Sequence, residues 1–274
     1  MSATARMMPA RRWSDLADLA ASTAQLVGDA IDVERIEIVK RKKGRANFAT
    51  AADHAAQDAI IRLLRKHDRG VPVLAEEGAA AKTRRGERFW VVDPIDGTLN
   101  FSRGVPFYCV SIAYVEDGRA RAGAIHAPRT GETFVACEGG GARLNGAPIH
   151  VSRVREVARA FVLCSLAFKA ASRPTSRFVM LNAHCARMRM LGSAALEIAY
   201  VAAGRFDLFV HGALGPWDVA AGGLIAREAG AALTSLTTGA EATWDEPQVI
   251  IGPPALVRDA LRTMPTLVRP RKAK

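Results

Sequence analysis

The 274-residue chain is long enough for one large or two ordinary domains, and its 49% apolar and 24% charged residues are those of a soluble globular protein. No apolar run approaches the roughly 20 residues that cross a bilayer, and the opening "MSATARMMPARRWSDL" lacks the apolar core of a secretory signal, so a cytoplasmic protein without a membrane partner is expected. A net charge of +11 favours anionic partners, but with only 6% aromatic residues for base stacking, nucleic acid is expected as a secondary partner at most.

In chain order, residues 1–12 read as a loose leader. Ser14 is placed to cap a first helix, whose apolar positions Leu16, Leu19, Ala20, Thr23, Leu26 and Val27 recur at helical spacing. "ERIEIVK" (34–40) alternates like a strand, and the helix after it, "FATAADHAAQDAIIRLLRKH", buries Ile60, Ile61, Leu63 and Leu64. A short apolar strand precedes Glu76 and Glu77, and "FWVV" (89–92) has the continuous apolar character of a central strand. "YCVSIAYV" and "RARAGAIHA" form a hairpin about "EDG", and a second hairpin turns at Asn145-Gly146.

Beyond residue 152 helices and strands alternate: "FVLCS" a strand, "TSRFVMLNAHCAR" a helix, and Ser193 to the Gly204 stop a helix. "RFDLFV" is a strand, "PWDVAAGGLIAREAG" a helix with Pro216 near its start, "QVIIG" a strand and "PPALVRDALRTM" a helix; residues 266–274 read as a loose tail. The sum is α+β, a mixed α/β sandwich dividing near residue 150 into parts 1–150 and 151–274, without the regular alternation of a Rossmann fold or a TIM barrel. Cys109, Cys137, Cys164 and Cys185 are widely spaced and read as reduced thiols, neither a zinc knot nor a disulfide scaffold.

The chemistry concentrates in "WVVDPIDGTLNF" (90–101). Asp93 and Asp96 lie three apart at the end of a buried strand, and carboxylates held that close repel unless one is protonated or a cation lies between them. Three further acids sit at element ends: Glu76 after a strand, Asp53 at a helix start and Asp218 in a first helical turn. Alone, Asp218 would be a helix-cap acid, Asp53 a first-turn acid and Asp93-Pro94 a turn. Together they form a set of hard oxygen ligands suited to magnesium or manganese. If a helix begins after Asp96, the free amides of Gly97 and Thr98 face an incoming anion such as phosphate, and the Thr98 hydroxyl can orient a water for hydrolysis.

These segments carry a resemblance. "WVVDPIDGTLNF" resembles the D-P-I-D-G-T-x-N-F signature of the inositol monophosphatase family and "PWDVAAG" its W-D-x-A-x-G signature, while "AEEG" and "TAAD" resemble its G-E-E and T-x-x-D elements, in the same order and spacing. The resemblance implies a layered αβαβα sandwich, a homodimer, and a lithium-sensitive phosphatase acting on a small phosphorylated metabolite with two to three Mg2+ ions, Mn2+ serving as a substitute. It implies that Glu76, Asp93 and the Ile95 carbonyl hold a first ion, and that Asp93, Asp96 and Asp218 hold a second. A third ion would lie near Glu76 through waters. Thr98, supported by Asp53, would activate water, with Glu76 in the same catalytic group, and the Gly97 and Thr98 amides would take phosphate oxygens. Gly192, Ser193 and Ala194, together with Asp96, would border the substrate's alcohol part.

Two departures stand out. Ala75 replaces the glycine usual before the paired glutamates, which matters only if that position needs a positive φ. His211 stands where inositol-preferring members carry a glutamate that accepts from ring hydroxyls, and a histidine there can donate, accept or carry charge near pH 7. Inositol 1-phosphate is the substrate expected from "DGTLNF", with histidinol phosphate, nucleotide 3′-phosphates and fructose 1,6-bisphosphate as rivals. A scaffold using the basic surface on RNA or protein is the alternative outside enzymology.

Overall fold

The computed structural model describes residues 9–33, 51–77, 87–165 and 175–264. The strand expected at 34–40 lies outside them, as does the expected tail 266–274. Helix α1 spans Pro9–Val33, starting earlier than the sequence implied. Proline is accepted in a first helical turn because its missing N–H has no acceptor there, so the helix begins in what read as a leader, and Ser14 lies exposed inside it rather than at its cap. The buried face of α1 is Ala17, Ala20, Ala24, Val27 and Ile31, whereas Leu26 is exposed. The alanines let the helix approach the sheet closely: a Cβ on Gly28 would meet the His126 ring at 2.8 Å.

Helix α2 (Ala51–His67) buries Ala52, Ala56, Ile60 and Leu64 beside α1. Then come β1 (Val73–Ala75), β2 (Phe89–Asp96), the short α3 (Thr98–Arg103), β3 (Cys109–Glu116), β4 (Arg119–Ala127), β5 (Glu132–Cys137), β6 (Ala142–Leu144) and β7 (Ala147–Pro148). These strands pair in chain order into a seven-stranded sheet, parallel at β1/β2 and antiparallel elsewhere. Asn145 (φ 48) and Gly146 (φ 83) make the left-handed turn expected between β6 and β7.

After a 3-10 turn at Val157–Arg159 come β8 (Phe161–Ser165), α4 (Thr175–His184), β9 (Arg187–Arg189), α5 (Ala194–Ala202), β10 (Leu208–His211), α6 (Pro216–Glu228), β11 (Ala232–Ser235), β12 (Val249–Gly252) and α7 (Pro254–Thr263). The five strands order as β11-β12-β10-β8-β9, with β8, β9 and β10 parallel. β9 and β11 escape sequence reading because three or four mixed residues carry no clear alternation.

Three apolar layers hold this stack together. Trp90, Val92 and Ile112 on one face of the large sheet pack on α1 and α2. Val91, Ile125 and Phe134 on its other face pack on α5 and α6, which also cover Leu163, Phe209 and Ile251 of the small sheet. Val162, Leu208 and Val210 face Leu181, Leu256 and Ala260 of α4 and α7. Alternate residues of β2 and β10 thus serve different layers, as strand periodicity requires, and the result is the mixed α/β sandwich with layers in the order αβαβα. Among the described residues no helix is long and apolar enough to cross a membrane.

The two central helices touch through small residues: a Cβ on Gly222 of α6 would meet Ile198 of α5 at 3.1 Å. Gly222→Val overfills this contact and should lower stability by about 2 kcal/mol, read as a fall in the urea midpoint without a change in slope.

Candidate active site

In a regular strand, residues three apart point to opposite faces. Strand β2 departs from this at the site: Asp93 pairs with Ser111 and Asp96 with Cys109, so β2 has one residue more than β3 between them. Pro94 cannot donate to a sheet ladder and belongs at such a bulge. The extra residue brings both carboxylates to one side. There Asp93, Asp96 and Asp218 offer oxygens that all lie within 4.8 Å of one another.

Each acid is fixed by backbone groups. Asp93 accepts from the Ile95 amide at 3.1 Å. Asp96 accepts from the Ser193 hydroxyl at 2.6 Å and from the Ala194 and Ala195 amides at 3.1 and 2.8 Å, the first amides of α5. Asp218, in the first turn of α6, accepts from the Gly215 amide at 2.7 Å. Ser111, opposite Asp93, donates to the Trp217 carbonyl at 3.2 Å and so ties α6 to the large sheet beside the site. Glu76 follows β1 directly, its amide bonded to the Val92 carbonyl at 3.3 Å, and its carboxyl hydrogen-bonds that of Asp93. Ala75 lies in β1 at an extended position, so replacing glycine costs no backbone strain there.

Burial dominates the electrostatics. It raises Asp93 well above the usual carboxylate range, helped by Glu76, Asp96 and Asp218, and it raises Asp218 with help from Asp96. Asp96 is raised by burial against the pull of its hydrogen bonds. Glu76 is pushed up to about 7 by burial, then by Asp96 and Glu77. Clustered hard oxygens that resist ionisation can serve as the donor set of a divalent cation, because a cation would offset both the burial and the repulsion.

Beside the acids, Thr98 Oγ1 lies 3.2 Å from Asp53 Oδ1 and 3.1 Å from the Ile95 carbonyl. The hydroxyl has one proton, so donation to buried Asp53 leaves the Ile95 carbonyl oxygen unclaimed by it. Gly97, the N-cap of α3, has φ 96°. A Cβ there would crowd the Phe107 carbonyl at 3.1 Å and the Gly192 carbonyl at 3.2 Å, so only glycine fits.

On the opposite wall, Gly192 (φ 85) lies in the turn before α5 and Ala194 in its first turn, while the Ser193 hydroxyl is buried and turned to Asp96. His211 ends β10, stacked on Phe209 at 5.7 Å, and its Nδ1 accepts from the Ala213 amide at 3.1 Å. Burial lowers its pKa to about 4. The imidazole is therefore neutral near pH 7 with its proton on Nε2, one of the states that the sequence left open.

Sequence reading missed three supports. Asn100 donates to the Phe107 and Leu191 carbonyls, both at 2.7 Å, joining two loops across the site. Cys109 lies 3.7 Å from Asp96. Glu197 accepts from the Leu191 and Gly192 amides at 2.6 and 3.0 Å. The only sequence signal for Glu197 was a charge inside the apolar run "AALEIAYVA".

Without divalent cations, native Glu76 holds its proton to about 7, whereas the ordinary glutamate value is 4.5. The native state therefore binds more protons across that window, and its stability is full at the acid end and falls as pH rises through it. In EDTA, urea midpoints should fall between about pH 5 and pH 8 by the equivalent of about 2 kcal/mol. Asp96→Asn should flatten that fall, since Asp96 is the carboxylate that raises Glu76 most; an unchanged slope would mean that the two carboxyls do not repel.

A model of the inositol monophosphatase family matches residues 13–267. The "Fructose-1,6-bisphosphatase/inositol-1-monophosphatase" of Thermotoga maritima is 40% identical over 204 residues, covering 74% of this chain and 77% of that protein. "Nus factor SuhB" of Vibrio cholerae is 37% identical over 208 residues, 75% of this chain and 78% of its own. The solved structure of Thermotoga maritima IMPase TM1415 superposes with a TM-score of 0.83 at 35% identity, covering 93% of this chain and 98% of that one. On the family match and the shared fold together, this chain belongs to the inositol monophosphatase family.

Proposed function

We propose that the chain is a magnesium-dependent phosphatase of small phosphate monoesters, with inositol 1-phosphate as its first substrate. The observation that carries this reading is the bulge-built cluster of Asp93, Asp96 and Asp218, with Glu76 and the Thr98–Asp53 pair beside it. Glu76, Asp93 and the Ile95 carbonyl would hold one Mg2+, and Asp93, Asp96 and Asp218 a second, with a weaker third near Glu76; Mn2+ suits the same oxygens. Such ions, when bound, lower the pKa of a water and neutralise phosphoryl charge.

The chain's own groups do the rest. Thr98, its proton directed to Asp53, keeps lone pairs with which to accept a hydrogen bond from the attacking water, and Asp53 fixes that orientation. The Gly97 and Thr98 amides, at the start of α3, receive phosphate oxygens. Gly192, Ser193 and Ala194 border the alcohol. His211, neutral and protonated on Nε2, donates to an acceptor on it, where a glutamate would only accept. That donor keeps fructose 1,6-bisphosphate, histidinol phosphate and nucleotide 3′-phosphates as rivals to inositol 1-phosphate, and the Thermotoga relative's double name supports the first of them.

A second reading has its own support: a relative named Nus factor and a net charge of +11 favour binding to RNA or the transcription machinery as a further role. It predicts salt-sensitive RNA binding that survives Asp93→Asn. A homodimer, as the family resemblance implied, is read by light scattering.

Phosphate release across the four esters with Mg2+ tests the main reading. Asp93→Asn should abolish turnover, and Thr98→Ala should lower kcat about 100-fold while leaving KM nearly unchanged. His211→Glu should shift preference toward inositol 1-phosphate. Full turnover by Asp93→Asn would sink the assignment.

A further inference from the structure

Glu197 lies in the first turn of α5 and is 1% exposed, among alanine, leucine, isoleucine and valine. Its Oε1 takes two backbone amides, Leu191 at 2.6 Å and Gly192 at 3.0 Å. Its Oε2 is buried without a hydrogen-bond partner among the described residues. Burial pushes this carboxyl up to about 7. A leucine of similar volume would avoid that desolvation cost, so core filling does not account for the residue.

The turn that Glu197 holds carries much of the site's framing. The Leu191 carbonyl accepts from Asn100, which also reaches the Phe107 carbonyl. The Gly192 carbonyl stands 3.2 Å from where a Cβ on Gly97 would lie, bordering the start of α3. The next three residues, Ser193, Ala194 and Ala195, supply the hydroxyl and amides that hold both oxygens of Asp96. The hydrogen bonds of Glu197 go to Leu191 and Gly192 rather than to Asp96 or Gly97, so it orients them through residues 191–195, although its charge and that of Asp96 act on each other.

We propose that Glu197 is a positioning residue for the cation centre: by clamping the Leu191 and Gly192 amides from within α5, it sets the turn that aims Asp96 and walls Gly97. The clamp fixes the donors to Asp96 relative to α5 itself, so the carboxylate is aimed by a rigid helix rather than by a free loop. Losing the clamp lets the turn relax, and the oxygens of Asp96 then lose their angle to Asp93 and Asp218. The effect on turnover rests on the phosphatase reading above; the effect on cation binding does not.

The test uses full-length protein with Glu197→Leu, which removes the acceptor at similar volume, and Glu197→Gln, which keeps one acceptor oxygen. Mn2+ binding is measured by calorimetry, with kcat and KM for inositol 1-phosphate in Mg2+ and the thermal midpoint alongside. Glu197→Leu should weaken Mn2+ binding and lower kcat about tenfold each, and Glu197→Gln should restore both to within about threefold of wild type. A purely structural role would lower the thermal midpoint of Glu197→Leu and leave its Mn2+ affinity unchanged, and that result overturns the proposal. If Glu197→Leu does not fold, Glu197→Asp, one methylene short of the amides, carries the same measurement, and wild-type Mn2+ affinity in that variant overturns it equally. A wild type that binds Mn2+ but releases no phosphate would sink the phosphatase reading alone.

Discussion

The repulsion among Glu76, Asp93, Asp96 and Asp218 is the constraint on which the rest of the site depends. Left to itself, a chain would spread these acids apart or expose them to water. Here strand β2 is locked between β1 and β3 and buried at all eight positions, so Asp93 and Asp96 cannot leave. The apolar layers on either side, with Trp90 and Val92 against one and Val91 against the other, supply the anchoring that makes the crowding tolerable. Asp93, Asp96 and Asp218 are then each held by backbone amides, and the Ser193 hydroxyl and the Ala194 and Ala195 amides that hold Asp96 lie at the start of α5 or just before it. The acids are aimed by the ends of secondary structure, which move only if the layers move.

Much of this was legible in the residues. The spacing of Asp93 and Asp96, the proline between them, the glycine and threonine after them, and the acids at three other element ends point to a cation site from residue type and position alone. The bulge itself was not legible. "DPID" says that a sheet ladder is interrupted, but whether the two aspartates end on one face or on opposite faces depends on how many residues of β3 they span, which is a property of the partner strand. The start of α1 was missed for a related reason: a proline and basic residues read as a leader, yet proline is accepted in a first turn and Arg12 is tied to Tyr114 and Glu116 of β3, partners distant in sequence.

The small sheet shows the same limit. β9 and β11 are strands only because β8 and β12 offer them edges, and nothing in "RMR" or "ALTS" declares it. Ser193, expected at the substrate's alcohol side, spends its hydroxyl on Asp96, so a residue's place in a motif did not reveal which way it turns. Asn100 and Glu197 act through carbonyls and amides of loops distant in sequence, and such bonds leave no periodic trace.

The unequal legibility of reaction and substrate has a physical cause. The groups proposed to handle the phosphate are a small, hard set whose chemistry is stated by residue type: carboxylates, a hydroxyl and amides freed by a helix start. The group proposed to meet the alcohol is His211, whose character is not stated by residue type at all. A histidine can be cation, donor or acceptor, and here burial removes the cation while the Ala213 amide claims Nδ1, leaving a neutral Nε2–H donor. That choice is made by a backbone amide two residues away and by the depth at which β10 ends. On this proposal, selectivity for the alcohol would follow from the fold around one imidazole, whereas the reaction class would follow from the residues themselves.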